Sequence, residues 1–295
     1  MPRPVIRKLG TLDCDMVETT PVAWRGWLYR FEYVRTNYQP NATGNSYFRF
    51  IEVATGQATP AFASGYHLGC AHAEDDAMYC YGVSAWGANE IRLFRSVDLE
   101  RWESQPALKL PGCTIFNTSV CRGPDRYVMA VEIGEPPEVV GVPFTMVFAE
   151  SPDLVTWRQL PKECVFTKDR YSACPALRYV NGYYYMVYLE AAPGPTYFPG
   201  IVRSRDLVDW GDGTIRSVME FSPEDKLIAN PALTDEQRRR IASAVDINNS
   251  DVDLCEFAGK VVIYYSWGNQ QGNEFLAEAE YEGTLQDFVE GFFAP

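Results

Sequence analysis

The sequence contains only two histidines, and its eight cysteines are scattered without a single C-x-x-C pair. Zinc sites are usually built from such pairs and from closely spaced His and Cys residues. The sequence therefore predicts no metal ligands and no cofactor. In this context we expect the cysteines to be mostly buried free thiols rather than a disulfide framework.

Long apolar runs are missing as well. No stretch approaches the roughly 20 apolar residues that span a bilayer, and the first residues lack the apolar segment of an export signal. Basic residues are comparatively few: 26 Lys and Arg stand against 39 Asp and Glu, giving a formal net charge of −13. A surface this acidic repels nucleic acid and anionic lipid, so we expect a cytoplasmic protein that binds neither nucleic acid nor membranes. The oligomeric state stays open.

Helical patterns are nearly absent, whereas short runs rich in Val, Tyr, Phe and Ile alternate with Gly, Pro and Asn turns. This pattern predicts an all-β fold. The exception is the segment 234–244, where Thr234 offers an N-cap followed by acidic and then basic residues, which predicts one short surface helix. Aromatic residues make up 14% of the chain, a share that suits both strands and stacking platforms for sugar rings.

Two internal repeats define the architecture. The motif Ser-x-Asp-Leu-x-x-Trp begins at Ser96, Ser151 and Ser204, with spacings of 55 and 53 residues, about one four-stranded propeller blade. Upstream of each copy, and twice more in the chain, a strand ends in a tight turn and returns as an aromatic strand. Five copies predict a five-bladed β-propeller with four antiparallel strands per blade, formed by residues 1–295 as one domain. We expect the Trp of each motif to fill the gap between blades, and the short helix to lie between blades four and five.

In a propeller, the innermost strand of each blade starts near the axis at the end to which the second strand returns. Counting back eight residues from each turn gives four corresponding positions, Glu18, Asn117, Cys174 and Asp251. The second strands finish at residues that include Glu132 and Glu190, both of which follow apolar runs that would desolvate a carboxylate and raise its pKa. The sequence therefore predicts four carboxylates on one rim, Glu18, Glu132, Glu190 and Asp251.

The loops at this rim carry Asn and Gln beside Trp and Tyr, which supply edge hydrogen bonds and flat apolar faces for hydroxyl-rich rings. This composition predicts a carbohydrate as the binding partner. The candidate sugar contacts are His67, His72, Trp86, Asn117, Tyr171, Asn249, Asp253, Trp267 and Gln270.

Together, the motifs and turns resemble the five-bladed propeller glycosidases, the group that contains glycoside hydrolase families 32, 43, 117 and 130. In family 43 the resemblance places a base carboxylate at the start of the first inner strand, where Glu18 stands. The same family has an Asp at the third inner strand and an acidic Glu at the fourth, whereas this chain has Asn117 and Cys174. The departure argues against simple membership of family 43 and leaves the acid to be found elsewhere. Whether Ca²⁺ or water fills the central channel stays open.

Glycoside cleavage needs one carboxylic acid to protonate the leaving oxygen and one carboxylate to activate water or attack directly. The sequence predicts a glycosidase with exo action on a terminal sugar, and the resemblance implies inversion. Glu18 or Asp251 is the expected base and Glu190 the first-choice acid, with Glu132 tuning a pKa or binding substrate. Two alternatives stay open: a sugar-binding propeller without activity, and a glycoside phosphorylase, which would need a basic phosphate cradle.

Overall fold

The computed structural model describes residues 3–35, 45–269 and 272–293. Within them, antiparallel strands form five four-stranded sheets arranged as blades around one axis, which confirms the predicted five-bladed propeller. Blade one contains β2 (Thr20–Trp24), β3 (Trp27–Val34), β4 (Tyr47–Glu52) and β5 (Gln57–Ala58). Blade two contains β6 (His67–Ala73), β7 (Met78–Val83), β8 (Glu90–Ser96) and β9 (Glu103–Lys109). Blade three contains β10 (Thr114–Arg122), β11 (Tyr127–Glu135), β12 (Thr145–Ser151) and β13 (Arg158–Gln159).

Blade four contains β14 (Ser172–Val180), β15 (Tyr183–Ala191), β16 (Tyr197–Ser204) and β17 (Trp210–Ser217). Blade five contains β18 (Asn248–Phe257), β19 (Lys260–Gly268) and β20 (Glu274–Glu282), and its outermost strand is the N-terminal strand β1 (Arg7–Cys14). The ring is therefore closed by pairing β1 with β20, between residues that are distant in sequence. The turn repeats gave no indication of this strand.

Helices occupy connections outside the sheets. The predicted helix is α2 (Asp235–Ser243), between blades four and five, and Thr234 caps it by accepting a hydrogen bond from the backbone N–H of Gln237. Two further helices, α1 (Pro137–Val140) and α3 (Leu285–Glu290), and a 3-10 helix (Pro223–Lys226) were not predicted. No helix among the described residues is long and apolar enough to cross a membrane. All eight cysteines are free thiols.

The Ser-x-Asp-Leu-x-x-Trp motif forms the same turn in each copy. In blade two, Ser96 Oγ accepts a hydrogen bond from the backbone N–H of Leu99, and Asp98 Oδ1 accepts from two following N–H groups. Leu99 adopts a left-handed φ of 62°, and its counterparts in the other copies have φ of 64° and 65°. These side-chain oxygens accept hydrogen bonds from turn N–H groups that have no backbone acceptor. The motif therefore fixes the position of the turn between the third and fourth strands of a blade.

The tryptophan of each motif packs on the preceding blade, as the sequence predicted. Trp157 of blade three contacts Tyr81 of blade two with ring centroids 5.7 Å apart, and Trp210 of blade four stacks on Phe148 of blade three at 5.5 Å. These contacts hold the sheets face to face, so the motif is structural.

We expect Trp157→Ala to destabilise the protein strongly, because Trp157 is only 7% exposed and its loss would leave a cavity between two blades. Core Trp-to-Ala substitutions cost about 3–5 kcal/mol. Urea denaturation would measure this, with Trp27→Ala as the control, since Trp27 is 51% exposed and should change the free energy of unfolding by about 0.5 kcal/mol or less. Equal effects of both substitutions would contradict the structural role of the motif.

Candidate active site

The inner strands of all five blades begin around one axial pocket. Its lining includes Glu18 and Thr19 from blade one, Gly69 and Cys70 from blade two, Asn117 and Thr118 from blade three, Cys174 and Pro175 from blade four, and Asp251 and Asp253 from blade five. The structure thus brings together the four positions that the eight-residue offset had identified.

Local irregularity in the inner strands aims these side chains at the axis. The pairing of β10 with β11, β14 with β15 and β18 with β19 shifts register at the pocket end of each inner strand. Glu18, Cys174 and Asp251 have left-handed φ values of 58°, 49° and 48°. Such strained positions are uncommon outside glycine and occur often at functional sites, so the backbone at this end is shaped by the pocket rather than by regular pairing.

Two carboxylates and a thiol meet at the centre of the pocket. One carboxylate oxygen each of Glu18 and Asp251 and the sulfur of Cys174 lie within 4.8 Å of one another. Ser250 Oγ donates a hydrogen bond to Asp251 Oδ2 at 2.8 Å, and Asn117 Nδ2 lies 3.4 Å from the Cys174 sulfur. Two carboxyl groups this close cannot both ionise without repulsion, so the pair favours a state that holds one proton.

Burial raises the pKa of Glu18 from 4.5 to about 7, and the nearby Asp251 carboxylate contributes to this rise. Arg35 opposes it, since its guanidinium Nη1 lies 3.5 Å from Glu18 Oε2. Desolvation outweighs the counter-charge, which leaves Glu18 able to hold a proton near neutral pH.

Glu132 lies behind the pocket wall and is 3% exposed. Its Oε2 accepts hydrogen bonds from Asn117 Nδ2 at 3.0 Å and from the backbone N–H of Cys174 at 2.8 Å. Burial raises its pKa to about 7 despite these two donors. Glu132 therefore connects blades three and four and positions Asn117 and Cys174, both of which line the pocket.

The donor set fits a calcium ion poorly. Ca²⁺ takes six to eight oxygen ligands, whereas the central group offers two carboxylates and a thiol. Burial and the surrounding carboxylates raise the pKa of the Cys174 thiol well above its usual value, so it stays protonated. We therefore derive no chemical step through a metal at this place.

One side of the pocket rim was missed by the sequence analysis. Arg35 is buried beside Glu18, and its guanidinium lies over the rings of Tyr33, at 4.9 Å, and of Trp86, at 5.4 Å. Tyr33 Oη shares a 2.8 Å hydrogen bond with His67 Nδ1, so His67 supports this side from behind. Arg35 directly follows β3, and the strand-end rule used for the other blades would have found it.

Glu190 does not line the pocket, which corrects its predicted place on the rim. Both of its carboxylate oxygens accept hydrogen bonds from Arg216 of the outermost strand of the same blade, and Tyr188 donates to it through its hydroxyl at 2.5 Å. Tyr188 in turn packs on Phe166, which precedes blade four. Glu190 therefore faces blade three, where its buried carboxylate is paired with the half-exposed Arg216.

Three predicted sugar contacts also lie away from the pocket. Trp267 is fully buried, stacks on Phe275 and donates from Nε1 to Thr11 Oγ1 at 2.9 Å, so it belongs to the core of blade five. Asn249 is buried against Lys8 and Asp225. His72 bonds to Glu74 and lines a cavity at the opposite end of the axis, because β6 runs away from the rim.

Of the remaining predicted contacts, His67 is only 2% exposed and lies behind the rim, while Asn117, Asp253, Tyr171 and Trp86 lie at or beside the pocket. Asp253 lines the pocket, but its carboxylate is paired with Arg178 at 2.5 Å. Tyr171 stands three residues before Cys174, and burial together with the neighbouring Cys174 and Glu132 raises its pKa. Trp86 is 40% exposed at the rim. Gln270 lies outside the described residues.

No family model matches the chain, and no curated protein matches it in sequence. Solved structures do match. A BT0996 RGII complex is 13% identical and covers 93% of this chain and 92% of its own, with a TM-score of 0.65. An α-L-arabinofuranosidase from Lactobacillus brevis is 14% identical and covers 90% of each chain, with a TM-score of 0.60. A Bombyx mori GH32 β-fructofuranosidase is 11% identical and covers 94% of this chain and 61% of its own, with a TM-score of 0.59. The chain has the propeller fold of such glycoside hydrolases.

We expect Glu132→Gln to make stability less sensitive to pH. Because the pKa of Glu132 in the folded protein is about 7, its contribution to stability is complete below about pH 4.5 and is lost as the pH rises through 7. At about 1.4 kcal/mol per pKa unit, this loss amounts to at most about 3.5 kcal/mol. The amide oxygen of Gln can still accept from Asn117 and Cys174, but no charge has to be buried at high pH.

Urea denaturation at pH 5 and pH 8 would measure the difference. The wild-type protein should lose more stability between these pH values than the Glu132→Gln variant does. The exposed Glu138→Gln variant is the matched control and should behave like wild type. An unchanged pH dependence in Glu132→Gln would contradict the raised pKa.

Proposed function

We propose that this protein is a glycoside hydrolase that removes a terminal sugar at the axial pocket. The observation that carries the proposal is the pair Glu18 and Asp251, two pocket carboxylates with oxygens within 4.8 Å of each other. One acid and one ionised carboxylate at one place are what glycosidic cleavage requires. The likeness to solved glycoside hydrolases supports this assignment through the fold.

Glu18 is assigned as the general acid and Asp251 as the ionised partner. Burial gives Glu18 a pKa of about 7, close to the value at which a group can hold a proton and still release it. Asp251 accepts a hydrogen bond from Ser250 at 2.8 Å, which fixes the orientation of its carboxylate. Glu190 has no part in this scheme, because it is engaged by Arg216 away from the pocket.

The spacing of this pair favours retention of the anomeric configuration. Inverting enzymes keep their carboxyl groups about 6.5–9.5 Å apart to admit a water, whereas retaining enzymes keep them about 5–5.5 Å apart. One oxygen of Glu18 lies within 4.8 Å of one oxygen of Asp251, which brings the two carboxyl groups nearer to the retaining than to the inverting spacing. In the proposed reaction Asp251 attacks the anomeric carbon while Glu18 protonates the departing oxygen. Glu18 then deprotonates the water that releases the sugar.

The pocket geometry supports exo action. Inner strands of five blades surround the pocket at the axis, which favours the end of a sugar chain over its middle as the occupant. The names of the solved neighbours include an arabinofuranosidase, a xylosidase and a fructofuranosidase, so glycosides of arabinose, xylose and fructose form the first substrate panel.

Neither alternative function has comparable support. A phosphorylase needs several basic residues around a phosphate, but no Lys or Arg is among the described residues that line the pocket, and Arg35 beside them faces Glu18. A sugar-binding propeller without activity would not require a protonated carboxyl beside an ionised one. Hydrolysis of any glycoside in the substrate panel would exclude that alternative.

We expect Glu18→Gln and Asp251→Asn to abolish most activity with different substrate patterns. Glu18→Gln cannot donate a proton, so it should slow hydrolysis of a natural glycoside by roughly 10²–10⁴-fold. An aryl glycoside with a good leaving group needs little protonation in the first step, so its kcat/KM should fall much less, whereas its kcat should also fall because Glu18 activates the water of the second step. Asp251→Asn should slow both substrates alike, because the first step then lacks its nucleophile. Initial rates on paired substrates would measure this.

Glu190→Gln is the matched control for these variants. It weakens the pair with the half-exposed Arg216, so we expect a loss of about 1 kcal/mol in the free energy of unfolding, with the rate per folded molecule within about twofold of wild type. If Glu190→Gln instead lost activity like Glu18→Gln while keeping its stability, the assignment of the acid to Glu18 would be wrong.

The stereochemical outcome gives an independent prediction. Proton NMR of a reaction in progress should show the sugar released first in the anomeric form of the substrate, before mutarotation mixes the two forms. Release of the opposite anomer would show that a water attacks directly. The residue that activates this water would then have to be found farther from Glu18 than Asp251 is.

A further inference from the structure

Five aromatic rings form a continuous row along the rim of blades two to four, which we call the aromatic arc: Trp86, Phe116, Phe144, Tyr171 and Tyr197. Successive ring centroids are 6.3, 4.9, 5.4 and 5.4 Å apart. The rings come from five different strand ends, so no local repeat explains the row. Each one lies at or close to the end of a strand on the pocket side of its blade.

The aromatic arc is continuous with the axial pocket. At one end, Trp86 contacts Arg35, which lies 3.5 Å from Glu18. Farther along, Tyr171 precedes the inner strand that carries Cys174. The backbone N–H of Tyr197 donates a hydrogen bond to the side chain of Asn248 in blade five. A ligand seated in the pocket therefore has this row beside it on the side of blades two to four.

The rings are not simply part of the core. Core rings of the same blades are almost fully buried, as Phe148 is at 1% exposed, whereas all five rings of the arc keep accessible surface and Trp86 is 40% exposed. Gly134 makes room for two of them. A Cβ at Gly134 would lie 2.8 Å from a ring carbon of Phe116 and 3.2 Å from one of Phe144.

We propose that the aromatic arc binds the sugar units that follow the terminal one, so that the substrate is a chain of several units running outward over blades three and four. This inference rests on the proposed function. The aromatic surface of the arc suits the apolar faces of neutral sugar rings. The pocket itself supplies the polar groups for the terminal unit, and the net charge of −13 disfavours an anionic chain.

Binding measurements in an Asp251→Asn background test the arc without relying on turnover. Isothermal titration calorimetry would use arabino-, xylo- and fructo-oligosaccharides of one to five units. We expect affinity in one series to rise by about tenfold or more with length. Phe144→Ala and Tyr197→Ala should remove most of that rise while leaving affinity for the single unit within about twofold. Trp27→Ala, an exposed aromatic in the turn at the other end of blade one, is the matched control.

Gly134→Ala provides a second variant that displaces Phe116 and Phe144 without removing a ring, and thermal denaturation confirms that each variant folds. The proposal is overturned if affinity does not depend on length in any of the three series, or if the arc variants bind long and short sugars as the Trp27→Ala control does. It is also overturned if they change the mass in solution instead, because the rings would then contact a second copy of the protein.

The outcomes separate this inference from the proposed function. If the wild-type protein hydrolyses aryl glycosides but its binding does not depend on chain length, the proposed glycosidase activity is supported and the proposed role of the arc is wrong. If binding depends on chain length and the arc variants lose this dependence, but no substrate is hydrolysed, the role of the arc is supported. The protein would then be a carbohydrate-binding propeller without activity.

Discussion

Closure of the ring between β1 and β20 is the constraint on which the site depends. Five blades converge on one axis only if the first and last are joined, and here the N-terminal strand supplies the outer edge of the last blade. Its pairing is reinforced by contacts outside the sheet. The backbone of Thr11 forms hydrogen bonds with the segment around Leu227, and its side-chain hydroxyl accepts a hydrogen bond from the indole of buried Trp267. Lys8 forms an ion pair with fully buried Asp225. The seam is thus held by both pairing and buried polar contacts.

At the axis, convergence brings together groups that repel one another. Glu18, Glu132 and Asp251 come from three blades, and Arg35 is the cation beside Glu18. Burial is the largest cause of the raised pKa values of Glu18 and Glu132, and it outweighs the counter-charge and the hydrogen bonds from Asn117 and Cys174. Burial destabilises the ionised form of Glu18 at high pH, and for the same reason Glu18 can act as a proton donor at neutral pH.

Much of the fold could be predicted from the sequence, because the repeats report blade number and the turns report the axis positions. Two of the errors share one physical cause. Glu190 and Trp267 each stand eight residues after their turn glycine, whereas Glu132 stands seven after Asp125. Side chains alternate between the two faces of a strand, so this difference of one residue reverses the direction of the side chain. Glu190 and Trp267 face the preceding blade, whereas Glu132 faces the following one. The closing strand β1 carries no repeat, and its partner could not be identified from local patterns.

The closing strand also connects the fold to the chemistry. Glu18 lies in the short segment between β1, in the last blade, and β2, in the first, so it bridges the seam opposite Asp251. Asp15 anchors this segment, since its backbone N–H donates to the Glu274 carbonyl at 2.9 Å and its carboxylate pairs with Arg240 of α2 at 2.7 Å. The insertion between blades four and five therefore helps to hold Glu18. The two proposed catalytic carboxylates therefore come from the first and the last blade, which the N-terminal segment connects.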